Sequence, residues 1–173
     1  AVWNNLEAIR KTPGWCNLFN DATTDVKYGK LYNISAANDA RGINPAGWHI
    51  PSKDEWQTLE NLLISNGYNF NPPSTYNSLN KALAANTDWV ENTTIVGSPG
   101  NDLSKNNATG FTALPSGYRA ANGSFYGGRA AWWSSTPLFA QTTYMWMVVA
   151  DWSNLYTTNY LNETGCSVRC VMD

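Results

Sequence analysis

The chain has 173 residues, the length of one domain and enough to bury a hydrophobic core. Charged residues make up only 14% and aromatics reach 13%, with 9 Trp and 9 Tyr, so the polar surface is built from 22 Asn, 16 Thr and 13 Ser. A net charge of −2 excludes a nucleic-acid binder, which needs clustered Lys and Arg. The aromatic content excludes disorder, and no apolar run approaches the ~18 residues of a membrane span.

The start, Ala1-Val2-Trp3, has neither an initiator Met nor the form of a signal peptide, and the chain reads as a processed or excised segment of something longer. Tyr28 to Ile34 reads as a short strand or turn leading into a helical piece around Ser35 to Asp39. The single His, His49, lies in Gly47-Trp48-His49-Ile50-Pro51 and reads as a structural residue holding a loop by hydrogen bonds. Ser52 and Glu55 form a capping box ahead of Trp56, Leu59, Leu62 and Leu63 at helical spacing, and Asn66-Gly67 closes the run. The spacing predicts a helix over 53–65. A second helix is expected over 75–85, with Leu79, Ala82 and Leu83 as its stripe and Ser74 as its cap.

From Val90 to Gly110 the chain is mostly Asn, Thr, Ser, Gly and Pro, which predicts a long surface loop. Short extended pieces follow at Phe111 to Leu114, Gly117 to Arg119 and Gly123 to Tyr126. Strands are expected at Trp132 to Ser135, Tyr144 to Ala150, Leu155 to Thr158 and Ser167 to Met172. Helices first and strands second argue for an α+β domain, with helices packed to one side of an irregular, mainly antiparallel sheet.

Motifs for catalysis are missing: there is no Gly-x-Ser-x-Gly elbow, phosphate loop or His-Glu-x-x-His. Asp54, Glu55 and Glu60 read as solvated or capping acids. Paired Cys/His zinc ligands and an acidic calcium loop are also missing, so no catalytic residue, metal or cofactor is expected. On one strand, Cys166 and Cys170 would sit roughly 13 Å apart, too far for a disulfide. Cys16 with either of them, or three free thiols, are the remaining arrangements.

Residues 131–173 carry only four charges, Asp151, Glu163, Arg169 and Asp173, yet eight aromatics fall between Trp132 and Tyr160. The strand from Tyr144 is apolar on both faces, which means double burial or an apolar face offered to a partner. In a domain with one sheet the partner reading is favoured. Asp151 to Thr164 adds Trp152, Asn154, Tyr156, Thr158, Asn159, Tyr160 and Asn162, the Tyr- and Asn-rich mixture of antibody-like paratopes.

Several stretches resemble one family. Tyr28-Gly29-Lys30-Leu31-Tyr32-Asn33, Arg41-Gly42, Gly47-Trp48-His49-Ile50-Pro51-Ser52, Glu55-Trp56 and Leu59 are similar to the first half of the Fibrobacter-type major paralogous domain. Phe111-Thr112-Ala113-Leu114-Pro115, Gly117-Tyr118-Arg119, Gly123-Ser124-Phe125, Trp132-Trp133-Ser134-Ser135-Thr136 and Ser167-Val168-Arg169-Cys170-Val171 are similar to its second half. The resemblance implies a C-type-lectin-like fold. It also implies a Cys16–Cys170 disulfide, because both fall where the family pattern carries Cys. Where the family often has a further Cys, this chain has Asn44.

Domains of this kind include variable proteins of diversity-generating retroelements, whose C-terminal stretch is hypermutated at adenines. The segment from about Phe139 to Thr164, within an expected variable, ligand-facing region over 136–165, is similar in position and composition. Trp132 to Thr136 and Gly165 to Asp173 resemble its fixed flanks. The resemblance therefore implies a non-enzymatic ligand-binding domain on a prokaryotic cell surface or a virion, whose partner is a protein or glycan on another surface. Expected ligand-binding residues are Met145, Trp146, Met147, Val149, Asp151, Trp152, Asn154, Tyr156, Asn159, Tyr160 and Asn162; strand alternation could turn Trp146 inward. The alternative function is a carbohydrate-binding or adhesive module of fixed specificity. An enzymatic reading would pair Cys166 with Cys170 as in formylglycine-generating enzymes, whose fold is related, but the flanking residues here differ from that enzyme's site.

Overall fold

The computed structural model describes residues 12–70 and 77–173. In chain order these form β1 (Trp15–Asn17), α1 (Asp25–Tyr28), β2 (Lys30–Tyr32), α2 (Ile34–Ala37), β3 (Trp48–His49), α3 (Lys53–Ser65) and α4 (Asn80–Leu83). The strands β4 (Tyr118–Arg119), β5 (Phe125–Tyr126), β6 (Arg129–Phe139), β7 (Thr142–Val149), β8 (Tyr156–Leu161) and β9 (Val171–Met172) follow. The architecture mixes α and β. An antiparallel three-stranded sheet runs β6-β7-β8, and two-stranded antiparallel sheets pair β1 with β2, β3 with β9 and β4 with β5.

The helix α3 spans the residues its capping signals predict. Ser52 Oγ accepts from the Glu55 N–H at 3.2 Å, and the Glu55 carboxylate accepts from the Ser52 N–H at 2.8 Å. Past the helix, Gly67 turns the chain at φ +78, where a side chain would be strained. The inward face presents Trp56, Leu63 and also Glu60. Glu60 is thus buried, not solvated, and accepts a hydrogen bond from Asn77 Nδ2.

The second expected helix contracts to the single turn α4, while Leu79, Ala82 and Leu83 are buried as the stripe requires. It stops because Ala84 is already extended and bridges Ala113. Ser74 and residues 75 and 76 lie outside the described residues.

Burial of β7 on both faces decides the organisation of the core. Its alternation sends Trp146 and Val148 into one cluster, with Trp56 and Leu63 of α3, Leu83 of α4 and Trp132 of β6. Met145, Met147 and Val149 enter a second cluster on the opposite face, with Ile34 and Ala37 of α2, Ile50, Tyr118 and Trp133. Trp56 stacks on Trp146 with ring centroids 5.7 Å apart, and the Trp56 Nε1–H donates to the Trp133 carbonyl. Helices therefore cover both sides of the sheet and not one side, as the order of elements had led us to expect. The apolar face proposed for a partner is instead sealed by the chain's own helices, each large side chain adding about 1.5–3 kcal/mol of burial.

The loop over 90–110 also departs from expectation, since Gly97, Ser98, Pro99 and Gly100 are buried. Buried backbone needs partners, and Lys81 provides them. Lys81 is 4% exposed as a residue, and its ammonium donates to the carbonyls of Ser98 at 3.4 Å, Asp102 at 3.2 Å and Asn101. The Gly100 N–H reaches the Ala150 carbonyl, and a Cβ at Gly100 would lie 2.1 Å from the Val90 carbonyl oxygen, so only glycine fits.

The cysteines are free, and the expected Cys16–Cys170 bridge is not formed. Cys16 pairs with Leu31 across β1 and β2 and packs with Leu18, whereas Cys170 Sγ lies 3.2 Å from Asn44 Oδ1. Among the described residues, no helix is long and apolar enough to cross a membrane.

Candidate functional site

The segment after β7 turns at Ala150–Leu155 and returns as β8, the edge of the three-stranded sheet. Its backbone is held from outside. The Asn80 N–H donates to the Ser153 carbonyl at 3.0 Å and Asn80 Nδ2 donates to the Trp152 carbonyl at 3.1 Å. Asn77 mirrors this on the other side, its carbonyl accepting from the Leu155 N–H at 3.0 Å and its Nδ2 donating to the Leu155 carbonyl at 3.0 Å. Ser78 Oγ reaches Asn154 Oδ1 at 3.3 Å. Behind the turn, a Cβ on Gly97 would meet Phe70 at 2.7 Å and Ser153 at 3.0 Å, so the buried loop packs flush against it. Leu155 plugs the turn into the first core cluster.

Side chains on this frame fall into three groups. Asp151, Trp152, Tyr156 and Asn159 are exposed, Trp152 at 46% and Tyr156 at 40%. Trp152 and Tyr156 meet edge to face at 5.2 Å, an arrangement that fixes both rings while leaving surface on each. The second group, Asn154, Tyr160 and Asn162, is partly buried and committed internally. Asn154 Oδ1 accepts from Ser78 and Ser153, Tyr160 shares a hydroxyl contact of 3.1 Å with Tyr118, and Asn162 Oδ1 accepts from Thr143 Oγ1 at 2.9 Å. Burial around the Tyr118 hydroxyl, together with the Tyr160 contact, pushes its pKa upward. Met145, Trp146, Met147 and Val149 form the third group. All four were expected at the ligand face, and all are buried because α2 and α3 close over both faces of β7.

Exposed residues that were missed include Thr157, Leu161 at 42% and Phe139 at 68% exposure. Thr157 and Leu161 share the parity of Asn159 on β8, so alternation could have found them. Phe139 and Leu161 flank Thr142 across the sheet. Pro137 and the register shifts around it give no comparable sequence signal for the exposure of Phe139. Asp151 carries the only charge among these exposed positions, so the surface presents mainly apolar contact and neutral hydrogen-bonding groups.

The profile of the Fibrobacter succinogenes major domain family matches residues 3–172. The chain belongs to this family. In this major domain, Gly47 to Ser52 builds β3 and the capping box of α3, while Trp132 to Ser135 lies within β6 at the centre of the core. These two stretches build a helix cap and part of the core, and the exposed residues of 151–161 lie outside them. Comparison with curated proteins and with solved structures returned no match.

Proposed function

We propose that the chain is a non-enzymatic ligand-binding domain on a C-type-lectin-like scaffold, a retroelement-diversified variable protein displayed on a virion or cell surface. Its ligand surface is the turn and the exposed edge strand after it: Asp151, Trp152 and Tyr156, with Thr157, Asn159 and Leu161 on the opposite face of β8 from Tyr156. The observation that carries this reading is the division of labour in 151–161: hydrogen bonds from Asn77 and Asn80 hold the backbone, while these six side chains point to solvent and leave the core untouched. A preorganised surface of Trp, Tyr and Asn loses little entropy on binding. The aromatics supply desolvated contact area, and Asn159 and Asp151 orient the partner.

Neighbouring DNA tests the retroelement part: a reverse transcriptase gene beside a near-copy of the coding 3′ end, differing at adenines, is the expected finding. An intact locus with no such repeat overturns it. The exposed, perpendicular Trp152–Tyr156 pair also favours a second reading, a glycan-binding module of fixed specificity, since sugar rings stack on such faces. Specific hits on a glycan array that vanish in Trp152→Ala would establish that reading.

A further inference from the structure

A separate cleft lies between the first two turns of α3 and the final strand β9. Pro51, Trp56, Leu59, Phe111 and Val171 wall it with apolar surface, Glu55 and Cys170 stand at its edges, and it encloses about 260 Å³. An apolar cavity of roughly 150 Å³ accommodates benzene, so this volume suits one or two fused rings. Arg169 closes one end. Its guanidinium lies over the Phe111 ring at 3.8 Å and Nη1 donates to the Phe111 carbonyl at 2.8 Å, which fixes the plane of the group. No carboxylate among the described residues pairs with it. The acid among the lining residues, Glu55, already accepts from Ser52 and lies 2.8 Å from His49 Nε2. Among the described residues, the Nε and Nη2 edge of Arg169, the side-on geometry for a bidentate carboxylate, meets no hydrogen-bond acceptor.

We propose that this cleft binds a small aromatic carboxylate, its ring between Trp56, Leu59 and Phe111 and its carboxylate on Arg169. Arg169 is exposed, so its charge meets water as well as the cleft; stacking on Phe111 preorganises the cation, and the apolar walls hold the ring of the ligand beside it. The site is independent of the surface at 151–161.

The experiment is titration calorimetry of the full chain with 2-naphthoate, with 2-naphthamide as the neutral isostere. Saturable one-to-one binding of the acid, with the amide about tenfold weaker or worse, is expected, because a charge-assisted pair is worth at least about that factor. Arg169→Gln should lose about tenfold for the acid and little for the amide, Arg169→Lys should fall between, and Leu59→Trp should abolish both by filling the cleft. Each variant's melting temperature is read alongside, and the analogue pair tests charge recognition with no variant at all. Bound 2-naphthoate should also slow alkylation of Cys170, the one partly exposed thiol. No saturable binding, equal affinity for acid and amide, or full binding by a folded Leu59→Trp would overturn the proposal.

Discussion

Asn80 grips two consecutive carbonyls, its side-chain amide on Trp152 and its backbone N–H on Ser153. Truncation to Ala keeps the second bond and removes the first, leaving a carbonyl in the turn without its donor. Asn80→Ala should cost about 1–3 kcal/mol and accelerate hydrogen exchange of the amides at 152–155. Ligand binding should weaken although Trp152 and Tyr156 are intact. Unchanged exchange in that turn would mean the clamp does not set its geometry.

Trp146, on β7 before the turn, and Trp152, within it, should respond in opposite ways. Trp146 is fully buried and stacked on Trp56, so Trp146→Ala should lose about 3–5 kcal/mol in urea unfolding. Trp152 is half exposed, and Trp152→Ala with Tyr156→Ala should lose under about 1 kcal/mol while abolishing ligand binding. A large stability loss in the double variant would move that pair from the ligand face to the core.

These contrasts show what could be read in advance. The helix α3 was legible to the residue because its signals are local: the Ser52–Glu55 box, the spacing of Trp56 and Leu63, and Gly67. The fate of β7 was not, because alternation reveals that both faces are apolar but not what covers them. The covering residues, Trp56 and Ile34, are about 90 and 110 positions away in sequence. Polar composition misled at Ser98 and Gly100, since a Lys81 ammonium 17 to 21 residues earlier draws that loop inward. Asn77 and Asn80 fall inside the stretch predicted as a helix over 75–85, and their reach across more than 70 residues to the turn had no sequence mark.

His49 predicts a pH dependence with a definite sign. Nδ1 lies 2.7 Å from Asp173 and Nε2 lies 2.8 Å from Glu55, and only the imidazolium can donate to both. The Asp173 contact first, and then Glu55, raise its pKa above the ordinary value of about 6.5. The stabilisation is therefore full below about pH 6.5 and is lost as pH rises through the folded pKa. His49 is the only histidine, so one imidazole resonance reports the titration. It should titrate above the ordinary value in wild type and shift back in Asp173→Asn. His49→Gln should flatten stability across that window, whereas a wild-type midpoint at or below 6.5 would remove the basis for this prediction.

Cys170 and Asn44 offer a covalent test. They are 126 residues apart in sequence with Sγ and Oδ1 at 3.2 Å, so a thiol at position 44 would reach the Cys170 sulfur. Oxidised Asn44→Cys should lose two titratable thiols relative to its reduced form and gain about 2–4 kcal/mol, reversed by dithiothreitol. A full thiol count after oxidation would place the two backbones too far apart. Burial raises the pKa of Cys16 to about 11, and the buried thiol should stay unmodified throughout.

The hydrogen-bond clamp from Asn77 and Asn80 separates what the chain displays from what keeps it folded. Randomising Asp151, Trp152, Tyr156, Thr157, Asn159 and Leu161 together touches neither core cluster nor either clamp residue. Most members of such a combinatorial library should remain soluble and cooperative in unfolding, making the domain a loop-display framework in which selection acts on recognition alone.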